Sequence, residues 1–478
     1  MLFNTLDFAI FLPIVFILYW FVTKRNLKVQ NLLIVIASYF FYGWWSKRFL
    51  VLILFSTVLD YFVGRFLSNS NEKFKRKLML VLSLVVNLGF LGYFKYYNFF
   101  LDNFIAAFSL FGEEIQPNTL NIILPVGISF YTFQTLSYSI DVYRRKLEPT
   151  KDFIAFAAFV SFFPQLVAGP IERATNLLPQ FYKKRKFDYT QAIDGMRQIL
   201  WGLFKKVVIA DNCAQYADMI FNNYTEYSGG YLILGAIFFA FQIYGDFSGY
   251  SDIAIGTARL FGFNLKKNFA FPYFSRDMAE FWRRWHISLS TWFRDYLYIP
   301  LGGSKGGIWK KIRNIFIIFV VSGFWHGANW TFIIWGALNA IYFIPLLLTK
   351  TNRINTDDVA QGKFLPSIKE FLSMLLTFTL VVLAWVFFRS PSVSDAFAFL
   401  NGIFTFEQVA FPPKLPLAIF ILIFIQIFVE WIQRSKQHGL EMNSENIPRI
   451  FRWLIYLILS MLVLAYLGKG TTFIYFQF

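Results

Sequence analysis

The sequence predicts an all-α polytopic membrane protein, and three observations predict it. Of its 478 residues 57% are hydrophobic and 21% aromatic, against 15% charged, which is more apolar surface than a water-soluble domain needs. Uncharged windows of roughly 20 residues recur along the chain, the length at which a helix rising ~1.5 Å per residue crosses a bilayer core of ~30 Å. The Lys and Arg behind the net charge of +17 sit in short runs between those windows. A nucleic-acid surface would gather them into a separate basic domain, whereas membrane topology scatters them in this way.

Taken in order, the segments also give an orientation, because cytoplasmic loops near span ends are enriched in Lys and Arg. A first span near 6–22 runs into Lys24, Arg25 and Lys28, which sets the N-terminus outside. Later basic loops carry Lys73, Lys75, Arg76 and Lys77, then Arg144, Arg145, Lys146 and Lys151. The alternate loops, with Asp102, Glu113 and Glu114 and then Asp211, Asp218 and Glu226, are poor in Lys and Arg and read as external. The basic stretches at 183–186, 266–267, 305–313, 350–353 and 434–436 fall on the cytoplasmic side if 153–169 and 279–300 do not cross. The first of these holds Pro164 and Gly169, and the second carries charges among its tryptophans. Both suit re-entrant or interfacial helices. The count is about twelve transmembrane helices, with N- and C-termini extracytoplasmic.

The first span has neither the basic leader nor the small-residue cleavage site of a signal peptide. A single cysteine, Cys213, excludes an intrachain disulfide and a cysteine metal cluster. No repeat or long hydrophilic block interrupts the pattern, so 1–478 reads as a single membrane domain.

Ionisable groups that a hydrophobic solvent should exclude point to chemistry. They crowd into 242–300, with Asp246, Asp252, Arg259, Arg276, Asp277, Glu280, Arg283, Arg284, His286, Arg294 and Asp295 among aromatics. For any one of them a structural ion pair is the plainer account; together they mark a polar cavity. A second signal is His326, inside the uncharged run of NIFIIFVVSGFWHGANWTFIIWG. Twelve residues past Asn314, at ~1.5 Å each, it lies roughly 18 Å into the membrane. Packing alone would also bury a histidine, but a neutral imidazole there can act as general base in acyl transfer, with His286 assisting. The third histidine, His438, sits in a basic polar loop and reads as solvated. No GxSxG elbow, phosphate loop, HExxH or CxxC motif is present, which removes the usual support for hydrolase, P-loop and metal chemistry.

Five stretches carry a resemblance: LPVGISFYTFQTLSYSIDVYR at 124–144, FFPQLVAGPIER at 162–173, YGDFSGYSDIAIG at 244–256, FWRRWHISLSTWFRDYLYIPLGG at 281–303 and GFWHGANWTFIIWG at 323–336. In these, and in their order, the chain resembles the membrane-bound O-acyltransferase family, within it the bacterial branch of alginate and peptidoglycan O-acetyltransferases. The resemblance implies helices around a central tunnel, with an acyl thioester such as acetyl-CoA as cytoplasmic donor and no bound cofactor or metal. It implies that His326 is catalytic and that His286 lies near the tunnel; beside them, Asp246, Arg283, Arg284 and Asp295 of the charge-rich stretch, with Trp325, are read as cavity residues. The ending TTFIYFQF has no charged side chain and is expected to fold back at the extracytoplasmic side as an apolar motif over 470–478. It resembles the branch's terminal motif, whose tyrosine, here Tyr475, is taken to carry the acyl group. A phenol, with its reference pKa near 10, needs a base such as His326 and forms a reactive ester. Anchoring of the tail by its aromatics is the alternative.

The reading is thus a membrane O-acyltransferase, an O-acetyltransferase by resemblance, serving an extracytoplasmic polysaccharide at the bacterial inner membrane. A separate extracytoplasmic SGNH-type acetyltransferase partner is implied. The rivals are a transporter or flippase for a polar substrate and a noncatalytic scaffold; a transporter would commonly show two related halves, and none are visible.

Overall fold

The computed structural model describes residues 1–109, 120, 122–405, 416–442, 447–468 and 473–474, and among these every regular element is a helix. Six helices are long and apolar enough to cross a membrane: Leu50–Asn69, Lys73–Ser109, Gly229–Leu260, Trp330–Leu348, Ile368–Arg389 and Arg449–Tyr466. Leu6–Val22, Leu27–Gly43, Val393–Phe404 and Leu417–Ile432 are shorter and equally apolar. The chain is an all-helical, multi-pass membrane protein. It forms two compact units, Met1–Ala192 with Ala258–Leu265, and Ile193–Thr257 with Lys266–Phe478.

In the first unit, polar groups at membrane depth are satisfied by one another, as lipid requires. Asp60 is fully buried; it accepts from the hydroxyls of Ser83 at 2.5 Å and Ser139 at 2.6 Å and from the Asn87 amide at 2.9 Å. That knot pins the helices Leu50–Asn69, Lys73–Leu91 and Ile128–Tyr143 together. The basic run at 183–186 divides by environment. Lys183, Lys184 and Lys186 are exposed, while Arg185 is buried, bonded to the side chains of Gln30 at 3.0 Å and Asn31 at 2.7 Å. The 153–169 segment makes a helix of only 9 residues, Phe153–Ser161, about 13 Å long.

The second unit is built on the 32-residue helix Gly229–Leu260. Its G-x-x-x-G stretch lets a neighbouring backbone come close: a Cβ on Gly249 would stand 2.7 Å from the Gly202 carbonyl. Small residues at such crossings are how membrane helices approach without side chains between them. The neighbour is Tyr189–Leu203 and its continuation, the π-helical Phe204–Ala210. A second close pair is Ile308–His326 with Trp330–Leu348, where a Cβ on Gly323 or Gly336 would run into the carbonyls of Phe332 and Phe319. Asn329 turns the chain between them by accepting the Thr331 N–H at 3.1 Å as N-cap. The 279–300 stretch opens with two short helices, Met278–Arg284 and Ile287–Phe293, of 7 residues each. Each is about 10 Å long, too short to span.

Candidate active site

The break between those two short helices is His286 itself, at φ 43° and ψ 53°. Left-handed backbone is uncommon outside glycine but tolerated by histidine. The turn buries the imidazole completely and sets its Nδ1 3.2 Å from the Asn268 side-chain oxygen. That oxygen also takes the backbone N–H of Ser288 at 3.2 Å and its hydroxyl at 2.8 Å. Because a backbone N–H can only donate, the Asn268 atom is the acceptor, and the proton of a neutral His286 resides on Nδ1. Its Nε2 keeps the lone pair.

His326 ends the helix Ile308–His326 and is 3% exposed. Its ring centroid lies 5.2 Å from that of Trp335, 5.5 Å from Phe388 and 6.3 Å from His286. Trp325, also buried, lies 6.0 Å from His286. Trp385 stacks on Trp335 at 5.4 Å and meets Trp285 at 5.1 Å. Rings from the 285–286 turn and from the helices Ile308–His326, Trp330–Leu348 and Ile368–Arg389 thus surround the two imidazoles. A neutral imidazole in so dry an enclosure can take a proton from a hydroxyl and return it to a leaving group.

The other residues singled out from sequence fall into separate groups. Asp246 is buried beside the site: Phe247, its neighbour, lies 4.6 Å from the His286 ring. Arg283 and Arg284 face the 352–358 loop instead. Arg283 donates to the carbonyls of Asn352 and Asn355, and Arg284 pairs with Glu280 at 2.9 Å and Asp358 at 3.2 Å. Arg276 joins the same cluster through Glu280 at 3.1 Å and Asp357 at 3.2 Å. Burial works against its charge, but Glu280 and Asp357 outweigh that and hold its guanidinium above the ordinary value. Asp295 pairs with the more exposed Arg294 at 2.7 Å. Tyr475 lies outside the described residues, as do 470–472 and 476–478 of the terminal motif.

Two sequence readings are corrected. Asp211 is not an external-loop residue; it is 2% exposed and ion-paired with Lys206 at 2.7 Å. His438 is not solvated; it is 1% exposed, with Nε2 3.1 Å from Asp194. The sequence reading also passed over Lys205, Lys206 and Asn268, all buried. Lys206 binds Asp246 at 2.8 Å as well as Asp211, and Lys205 binds Asp252 at 2.7 Å. The available signal was a lysine pair inside the apolar run WGLFKKVVIA. Among the described residues no group of three or more His, Cys, Asp or Glu is arranged to hold a metal ion.

The family model of the membrane-bound O-acyltransferase family matches residues 144–357, a range that takes in both His286 and His326. The chain is 42% identical over 399 residues to the Pseudomonas aeruginosa protein named "Probable alginate O-acetylase AlgI", covering 83% of this chain and 73% of that one. It is 38% identical over 431 residues to the peptidoglycan O-acetyltransferase of Helicobacter pylori, covering 84% and 79%. It is 30% identical over 314 residues to the teichoic acid D-alanyltransferase of Streptococcus thermophilus, covering 61% and 75%. All three transfer an acyl group by name. With the imidazole pair enclosed among buried helices, these likenesses make the chain an acyltransferase that belongs to the membrane-bound O-acyltransferase family.

Proposed function

We propose that the chain takes an acetyl group from a cytoplasmic acyl thioester, with acetyl-CoA as donor, and passes it across the bacterial inner membrane for O-acetylation of an extracytoplasmic polysaccharide. The observation that carries this is the buried His286 and His326 pair, 6.3 Å apart within a shell of tryptophan and phenylalanine. The names of the alginate and peptidoglycan relatives support the acceptor class. The distribution of Lys and Arg supports the sidedness.

In this reading His326 is the general base. It takes the proton of the Tyr475 hydroxyl as the phenolic oxygen attacks the thioester carbonyl. The C–S bond breaks, an aryl acetate forms, and the departing thiolate recovers the proton from the imidazolium. His286 Nε2, fixed by Asn268, supports the proton's path. A second hydroxyl then displaces the tyrosine oxygen from the acetyl carbon and passes its own proton to that departing phenolate, with an SGNH-type extracytoplasmic partner completing delivery to the polymer.

The test is labelling of the detergent-purified protein with radiolabelled acetyl-CoA, followed by peptide mapping. Label is expected on the Tyr475 peptide, absent in Tyr475→Phe and lowered by about 10²–10⁴ in His326→Ala, the range for loss of a general base. A folded wild-type protein that takes up no label would remove acetyl-CoA as donor or Tyr475 as carrier. Label that persists in His326→Ala would remove the base assignment.

A further inference from the structure

The acyl chemistry as drawn makes no use of Asp246, a carboxylate 3% exposed in the middle of the Gly229–Leu260 helix. One of its oxygens faces Lys206 Nζ at 2.8 Å. Lys206 is itself held by Asp211 at 2.7 Å, so one cation is shared by two carboxylates and fixes the direction of Asp246. Its second oxygen, Oδ2, accepts the backbone N–H of Ile474 at 2.7 Å. Ile474 lies 228 positions away in sequence.

The residue before Ile474 is seated on the same helix face. Residues 246, 247 and 250 share a face at helical spacing, and the ring of Phe473 lies 4.7 Å from Tyr250 and 6.3 Å from Phe247. Phe473 and Ile474 are each 1% exposed. Phe247 in turn touches His286 at 4.6 Å, and His286 lies 6.3 Å from His326. Asp246 therefore ends an ion-paired chain on one side and begins a ring-to-ring path to both histidines on the other.

We propose that Asp246, held by Lys206, is the docking group for the 473–474 segment and a positioning residue for acyl transfer. It grips a backbone N–H and so reads no side chain, while the Tyr250 and Phe247 slot selects an aromatic one position earlier. A carboxylate suits this task because a charged acceptor makes the stronger hydrogen bond. Lys206 keeps that charge tolerable in an apolar surrounding. The positioning half rests on the reading above in which Tyr475, next in sequence to Ile474, carries the acyl group; the docking half does not.

Hydrogen exchange of the full-length protein in detergent separates the two halves. Wild type is compared with Asp246→Asn, which turns an N–H donor or a neutral oxygen towards Lys206 and Ile474, and with Ile474→Pro, which removes the donated N–H together with the isoleucine side chain and leaves the Phe473 amide as the reporter. The peptide covering Phe473 and Ile474 is expected to exchange at least about tenfold faster in both variants, while peptides from Gly229–Leu260 and Ile308–His326 keep their protection. Acetyl-CoA labelling in the same variants is expected to lose about tenfold or more in rate with the donor KM within about twofold of wild type, the split that loss of carrier positioning, and not of donor binding, produces.

Unchanged exchange in Ile474→Pro overturns the docking, and this variant decides if Asp246→Asn also loosens the helices. Faster exchange with labelling at the wild-type rate keeps the docking and overturns the positioning role. Faster exchange with no label even in wild type leaves the docking standing and counts against the acyl carrier reading alone.

Discussion

His326 and His438 are both buried, and they differ in what their rings face. His438 has a carboxylate, Asp194, 3.1 Å from Nε2, while the Leu440 N–H donates to its Nδ1. His326 faces Trp335, Phe388 and a second imidazole. The Asn268 side chain holds the His286 ring through Nδ1. Asn268→Leu is expected to lower acyl transfer by about tenfold and to cost about 1–3 kcal/mol of stability, because it strands the His286 and Ser288 donors in the interior. Labelling kinetics and thermal unfolding in detergent measure the two. Lys206→Met should be more severe, about 3–5 kcal/mol, since it leaves two buried carboxylates without their shared cation; thermal unfolding beside the double variant carrying Asp246→Asn checks it. The burial of His326 was readable from the uncharged run around it. The environment of His438 was not, because the loop around it is polar and Asp194 lies 244 positions away. Separation in sequence likewise hides Lys206 from its partner Asp246, which is brought to it by a backbone crossing and leaves no local trace.

Helices are joined here by two devices, and each is open to a single substitution. Where Gly323 and Gly336 allow two backbones to touch, Gly336→Ala must push against the Phe319 carbonyl, which backs no flexible side chain. A loss of about 1–3 kcal/mol is expected for overpacking of this kind, with His326 activity falling alongside because that histidine ends the displaced helix. Where arginines do the joining, Arg284→Ala frees Asp358 from its partner and leaves Glu280 to Arg276 alone. Limited proteolysis should then cut the 352–358 loop sooner than in wild type, with the Gly229–Leu260 helix intact. The elements were readable to different degrees. Long apolar helices announce themselves through length and composition, and the 279–300 charges argue against a crossing there. That its arginines fasten a loop and do not line the imidazole pair depends on residues 352–358, which have no pattern of their own.

For the whole molecule, composition together with the uncharged windows pointed to a membrane, since 57% hydrophobic residues exceed the share a water-soluble domain carries. Sidedness is a prediction from charge: a phosphatase reporter that is active only outside the cytoplasm should be inactive when fused after Lys146 and active when fused after Asp102. The reverse pattern would invert the path drawn for the acyl group. What composition could not supply is the division of the chain into two compact units, with Ala258–Leu265 belonging to the first and the residues on either side of it to the second. That depends on contacts far apart in sequence. Cys213 is the chain's only cysteine and is completely buried. The folded protein is therefore silent towards thiol reagents, so one engineered cysteine on any exposed loop becomes a unique attachment point for a spin label or fluorophore. The native thiol, reacting only when the second unit opens, serves at the same time as an internal clock for unfolding.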